Sequence, residues 1–207
     1  MPTRAIILDV GGVLLHERDH AKRYEWEQRL GLAQGQLTRL VLDSELAALA
    51  PLGQVTEREV WQAVASKFGL TDEQTWELQR DFWSSEQLDA TFVEFIQGLR
   101  PQYKIAILSN AWSDARSFHN AKFHFDSWVD IAIYSAEVKL LKPDPHIYQL
   151  VLSQLNLAAD ECVFVDDKLS NVQAAEALGM QGVWYRDAKQ AMHEIKSIST
   201  IEQAHAD

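Results

Sequence analysis

Four short apolar runs constrain the fold of this chain more than any other feature: "AIIL" before Asp9, "KIAILS" ending at Ser109, "CVFV" before Asp166, and "GVWY" at 182–185. They are rich in β-branched and aromatic residues and show no alternation of apolar and polar positions. That is the pattern of strands buried on both faces, which in practice means a parallel sheet with helices above and below. Helical patterns lie between the runs. "DPHIYQLVLSQLN" offers Asp144 as N-cap and Pro145 as the first helical residue. "SNVQAAEALG" offers Ser170 as N-cap and Gly179 as the stop. Alternating strand and helix predicts an α/β fold with right-handed crossovers.

The interval from His16 to Leu88 has no convincing strand run and is helix-rich. "VTEREVWQAVASKFG" carries Thr56 and Glu59 at capping-box spacing, with Gly69 at the stop, and Thr71 and Gln74 open the next helix in the same way. The expected division is a sheet core of residues 1–15 and 89–207 with a helical cap, 16–88, inserted after the first strand. A chain of 207 residues has room for a core and an insert of that kind.

In an open parallel sheet, ligands bind beyond the carboxyl ends of the strands. Asp9, Ser109 with Asn110, and Asp166 with Asp167 each stand where an apolar run stops, so three strands bring polar groups to one edge. Any one of these acids alone would read as a turn former or a helix N-cap. The tandem Asp166-Asp167 is harder to explain that way, because adjacent like charges repel unless a cation sits between them. Carboxylates with no His or Cys beside them suit a hard cation such as Mg²⁺. Lys142, in "LKPDP", falls between the second and third strand ends and can neutralise either a phosphate or Asp9.

The rest of the composition narrows the partners. The net charge is −11, from 30 acids against 19 Lys and Arg, with no dense basic stripe, so nucleic acid and anionic membrane surfaces are not expected partners. The single cysteine, Cys162, excludes an internal disulfide and fits a reducing compartment. "MPTRAIILDV" has no apolar h-region, and no run approaches the ~20 residues of a membrane span, so the expected location is cytoplasmic. Oligomeric state leaves no mark in the sequence.

"LDVGGVL", "ILSN", "KPDPHIY" and "VFVDDKLSNVQAAEALG" stand in the order and spacing of the four motifs of the haloacid dehalogenase-like hydrolase superfamily, and the resemblance covers nearly the whole chain. "ILSNAWSDAR", "FHFD" and "KPDPHIY" look more closely like the N-terminal phosphatase domain of soluble epoxide hydrolase and related bacterial sugar-phosphate phosphatases. The resemblance implies a Rossmann-like core with an inserted helical cap, and Mg²⁺-dependent hydrolysis of a small phosphorylated metabolite. It implies that Asp9 is the nucleophile and becomes an aspartyl phosphate. It makes Asp166 a metal ligand, Asp167 a support for the metal directly or through water, and the Gly11 carbonyl a further ligand. Ser109 would hydrogen-bond the phosphoryl group, Asn110 would orient substrate, and Lys142 would balance charge.

Two positions depart from the family pattern. "SAEVK" places Lys139 where the family has glycine; it reads as a solvated loop charge or as a second lysine of the site. Gly11 stands where most phosphatases of the superfamily carry an aspartate that protonates the leaving alkoxide and activates water. That substitution predicts a slow phosphatase, an acid borrowed from elsewhere such as His16, or a catalytically impaired relative that binds a phosphorylated metabolite or a protein. Gly11 with Asp166-Asp167 argues against dehalogenation. A phosphonate hydrolase would need a cap lysine, and residues 16–88 hold only Lys22 and Lys67. The cap tryptophans Trp26, Trp61, Trp76 and Trp83 are expected in its core, with one of them free to line the substrate entrance.

Overall fold

The computed structural model describes residues 2–100 and 102–203. β1 (Ala5–Leu8) leads through a tight loop to β2 (Leu15–Glu17). Five helices follow, α1 (Ala21–Arg29), α2 (Gln36–Leu42), α3 (Glu45–Leu49), α4 (Glu57–Phe68) and α5 (Asp72–Trp83), before β3 (Glu86–Leu88). Strand and helix then alternate through α6 (Ala90–Leu99), β4 (Lys104–Ser109), α7 (Ala115–Phe123), β5 (Ile131–Tyr134), α8 (Ser135–Val138) and α9 (Pro145–Leu155). β6 (Cys162–Asp166), α10 (Leu169–Ala177), β7 (Gln181–Trp184) and α11 (Ala188–Gln203) complete the described chain.

Five strands form one parallel sheet in the order β5-β4-β1-β6-β7. Successive residues of each strand serve opposite faces. Ile6, Leu8, Ile105, Ile107, Val163 and Val165 pack with Phe92 and Ile96 of α6 and Ala191 and Ile195 of α11. Ile7, Ala106, Leu108 and Phe164 pack with Ile147 and Val151 of α9 and Ala175 of α10. Burial on both faces is why these strands show no alternation in sequence. Among the described residues, no helix is long and apolar enough to cross a membrane.

Two sequence expectations need correction. The sheet has a fifth strand, β5, at its edge, where Ile131 and Ala132 are only half-buried and the run is too short to announce itself. The helix assigned to Ser170 begins two residues earlier: its N-cap is Lys168, whose N–H is held at 2.8 Å by the Asp166 carboxylate. The capping boxes at Thr56–Glu59 and Thr71–Gln74 form as read, and Asp144 caps α9 by accepting from the His146 N–H.

The helices between β2 and β3 form an insert with its own core of Trp26, Leu37, Val41, Trp61, Val64, Leu78 and Phe82. β2 and β3 pair antiparallel at its base, Leu15 opposite Leu88 and Glu17 opposite Glu86. Arg23 clips that base. Its Nε donates to the Phe82 carbonyl at 2.9 Å and Nη2 to Ser85 Oγ at 3.0 Å, the guanidinium lies 3.9 Å over the Phe82 ring, and Glu17 accepts a further bond. Further contacts tie the insert to the sheet core. Gly53 approaches the Ala136 carbonyl so closely that a Cβ there would lie 2.3 Å from the oxygen, and the Glu57 N–H donates to Ser113 Oγ at 3.0 Å.

Candidate active site

β1 is the middle strand, and the chain departs from it toward β4 on one side and toward β6 on the other. That reversal opens a crevice at the carboxyl ends of β1, β4 and β6. Asp9 continues the β1 ladder by donating its N–H to the Val165 carbonyl at 2.9 Å. Its carboxylate turns back, so that Oδ1 accepts the Val10 N–H at 2.7 Å.

Asp166 ends β6 fully buried. Its carboxylate accepts the Lys168 N–H and the Asn171 side-chain amide, the latter 3.1 Å from each oxygen. Lys142 reaches between the two strands with its side chain 1% exposed, placing Nζ 2.9 Å from Asp9 Oδ1 and 2.7 Å from Asp166 Oδ2. Lys139 stays outside at the end of α8, solvent-exposed and in the left-handed region at φ 58°. Of the two lysines, Lys142 is the one in the site.

Asn110, expected to orient substrate, lines the crevice and also braces Lys142. Its Nδ2 donates to the Lys142 carbonyl at 2.8 Å and its Oδ1 accepts the Lys142 N–H at 2.9 Å, so the side chain fixes the lysine's backbone. Ser109 is buried at the end of β4 and lines the same crevice.

Asp9, Asp166 and Asp167 each bring one oxygen to within 4.8 Å of the others. Three carboxylates face one ammonium. Burial pushes Asp9 up to about 6, with Lys142 opposing and Asp166 adding to the rise. Burial and Asp166 raise Asp167 as well. Asp167 Oδ1 is buried without a hydrogen-bond partner. Its other oxygen fills the space beside Gly12, which has φ 78°: a Cβ there would lie 2.5 Å from Asp167 Oδ2. A buried orphan oxygen among excess carboxylates is costly unless a cation meets it. The all-oxygen donor set fits a hard divalent ion such as Mg²⁺.

Gly11 sits at the mouth of the crevice. Its φ lies outside the left-handed region, and a Cβ there would meet nothing within 4 Å. His16, on β2, is stacked on Tyr185 and lies 3.7 Å from Asp89 Oδ2; it does not line the crevice. Lys22 and Lys67 are exposed and also absent from it, so no insert lysine serves a phosphonate-type reaction. Cys162 is buried at the start of β6, and burial pushes its thiol up to about 12.

A cavity of about 610 Å³ opens from the crevice toward the insert. Sequence reasoning assigned the insert tryptophans to its core, and Trp26 and Trp61 are there. Trp83 packs against that core and also lines the cavity, edge-on to Trp112 from the loop after β4, while Trp76 lines the cavity at an exposed position, in keeping with the expectation that a tryptophan is free to line the entrance. Trp112 follows the "ILSN" motif by two residues, which is the signal that would have found it.

The profile of the haloacid dehalogenase-like hydrolase family matches residues 3–179. A sesquiterpene phosphatase of Aspergillus oryzae is 28% identical over 199 residues, covering 94% of this chain and 96% of that protein. A D-ribitol-5-phosphate phosphatase of Bacteroides thetaiotaomicron is 26% identical over 186 residues, covering 85% and 88%. The fold is also similar to a crystal structure of an enzyme of the same family from Bacteroides thetaiotaomicron in complex with magnesium and inorganic phosphate. That likeness has a TM-score of 0.74 at 19% identity, over 87% of this chain and 93% of the other.

Proposed function

The chain belongs to the haloacid dehalogenase-like hydrolase family, and on that premise we propose that it is a Mg²⁺-dependent hydrolase of phosphate monoesters acting through Asp9. The observation that carries this reading is the position of Lys142 Nζ between Asp9 and Asp166, with Asp167 completing an acidic cluster.

Asp9 Oδ1 is held by the Val10 N–H and by Lys142, which assigns the attack on phosphorus to Oδ2. An anchored carboxylate of this kind displaces the alcohol and becomes an acyl phosphate, which water then opens. Lys142 balances the charge of Asp9 and of the incoming phosphoryl oxygens, and Asn110 keeps it there. Ser109 at the crevice floor is assigned the hydrogen bond to the phosphoryl group. Asp9, Asp166, Asp167 and the Gly11 carbonyl would hold Mg²⁺, which supplies charge neutralisation of the phosphate oxygens.

Gly11 leaves the alkoxide without a side-chain acid, a contribution that is typically ~10²–10⁴-fold in rate. Turnover is therefore slow for poor leaving groups. The insert covers the crevice as a cap, and its docking encloses the alcohol end of the substrate. The two phosphatase relatives are named for unlike alcohols, a terpene and a polyol, so the choice between them rests on the cavity walls.

The test is phosphate release from p-nitrophenyl phosphate with Mg²⁺, with EDTA, and with Asp9→Asn. Release that needs Mg²⁺ and Asp9 supports the reading. Release that survives EDTA or Asp9→Asn overturns it. The absence of release, with binding of phosphate esters retained, favours the catalytically impaired alternative that Gly11 suggests.

A further inference from the structure

We infer that the cavity between the sheet edge and the insert selects phosphate monoesters of bulky apolar alcohols over those of polyols, an inference that rests on the assignment of the phosphate end to Asp9 and Lys142. The cavity is continuous with the crevice, since Gly11, Ser109 and Asn110 belong to both. Its volume of about 610 Å³ lies within the ~300–1,000 Å³ typical of sites for drug-sized ligands, far more than a glycerol-sized alcohol needs.

The walls are aromatic on both sides. Leu42 of α2 and Trp76 and Trp83 of α5 come from the insert, and Trp112 and Phe118 from the core side. Trp83 packs edge-on against Trp112, with ring centroids 5.6 Å apart at 85°, which fixes the depth of the slot. Trp76 is 65% exposed and Leu42 39%, so apolar surface continues to the mouth. Apolar side chains left in water at the mouth of a cavity mark it as a binding surface.

Most of the polar groups along the insert walls are already engaged. Glu57 Oε1 accepts the indole N–H of Trp83 at 2.8 Å, the Gln79 amide at 2.9 Å and the Trp61 N–H at 3.1 Å. Trp83 therefore spends its N–H on Glu57 and presents its ring. Arg80 bonds Asp81, and Asp114 Oδ1 accepts from Ser113 Oγ. His119 Nδ1 pairs with the Tyr134 hydroxyl at 3.1 Å, which leaves Glu86, whose carboxyl is held toward the neutral form by burial, and Lys168, next to Asp167. Polyol hydroxyls would lose water here and find few open partners, whereas a hydrocarbon chain loses nothing polar on entering.

The experiment compares kcat/KM for n-decyl phosphate, methyl phosphate, glycerol 3-phosphate and ribitol 5-phosphate, using the whole chain with Mg²⁺. The expected result is a preference of ~100-fold or more for decyl over glycerol phosphate, rising with chain length. Trp76→Ser, at an exposed position that leaves the insert core intact, is expected to lower the decyl-to-methyl ratio by ~10-fold, mainly through KM. Equal rates, or a preference for the polyol phosphates, overturn the inference while leaving the phosphatase reading in place. Should no ester turn over, quenching of tryptophan fluorescence by decyl phosphate decides. Tight binding that exceeds that of glycerol phosphate by the same margin and weakens in Trp76→Ser upholds the pocket assignment, and binding that shows no such margin overturns it.

Discussion

Asn110 holds Lys142 at two points, donating to its carbonyl at 2.8 Å and accepting its N–H at 2.9 Å. The strand end that carries Ser109 thereby sets the backbone from which the lysine reaches two carboxylates on neighbouring strands. Asn110→Ala should lower kcat by ~10–100-fold and cost about 1–3 kcal/mol of stability, since two partly buried backbone groups lose their partner. Phosphate-release kinetics and denaturant unfolding measure the two effects; unchanged kcat would mean Lys142 keeps its place unaided.

Removing Lys142 itself leaves Asp9 and Asp166 facing each other in a buried site. Lys142→Met should destabilise the fold by about 3–5 kcal/mol, the range for breaking a buried ion pair from one side. Added Mg²⁺ should restore part of the loss by supplying the cation, which thermal melts with and without the ion will show.

At Gly12, φ 78° and the 2.5 Å approach of Asp167 Oδ2 leave no room for a side chain. Gly12→Ala should cost about 1–2 kcal/mol in backbone conformation alone. It should also displace Asp167 and weaken Mg²⁺ binding in a calorimetric titration. Wild-type affinity in that variant would remove Asp167 from the metal site.

Gly11 is the opposite case, with an ordinary φ and open space around the added Cβ. Gly11→Asp should fold as the parent does and raise turnover of alkyl phosphates by ~10-fold or more, with a smaller gain for p-nitrophenyl phosphate, whose phenolate leaves unaided. Parallel gains for both esters, or none, would show that another group already delivers the proton.

Glu86 titrates near 7 because it is buried beside Glu17 and Glu57, with Lys122 only partly compensating. Its ordinary value is 4.5. Between those two values the folded chain holds a proton that the unfolded chain has released, so this residue's contribution to stability falls as pH rises from about 4.5 to 7. Glu86→Gln should therefore raise the melting temperature at pH 8 and change it little at pH 4. An equal shift at both pH values would assign the effect to packing.

The site was legible in the sequence wherever an apolar run stopped on a polar residue: Asp9, Ser109 and Asp166 were placed by their strands. Helix ends were legible where a side chain caps its own helix, as at Thr56, Thr71 and Asp144. The start of α10 was not, because no side chain caps it, and the N–H of its N-cap residue Lys168 is held by Asp166 from the preceding strand. β2 and β3 were not, because three-residue strands carry no period and exist only through their pairing across the insert. Asn110 looked like a ligand for substrate because its partner, Lys142, lies 32 residues away. A tryptophan at the entrance was expected, but its pairing with Trp112 escaped for the same reason, since Trp83 and Trp112 face each other from different elements.

The insert's moorings include the β2–β3 pair with its Arg23 clip, Gly53 against the Ala136 carbonyl, Trp83 against Trp112, Lys122 Nζ on the Glu86 carbonyl, and the Glu57 N–H on Ser113 Oγ. The last mooring lies three residues beyond Asn110, on the loop that follows Ser109, to which the proposed mechanism assigns the phosphoryl group. Ligand binding and insert docking are thus linked equilibria, and each must strengthen the other by the same factor. A ligand that spans both walls will therefore slow the opening fluctuations of the first turn of α4 and of residues 109–114 together, and their amides will exchange with solvent as one unit.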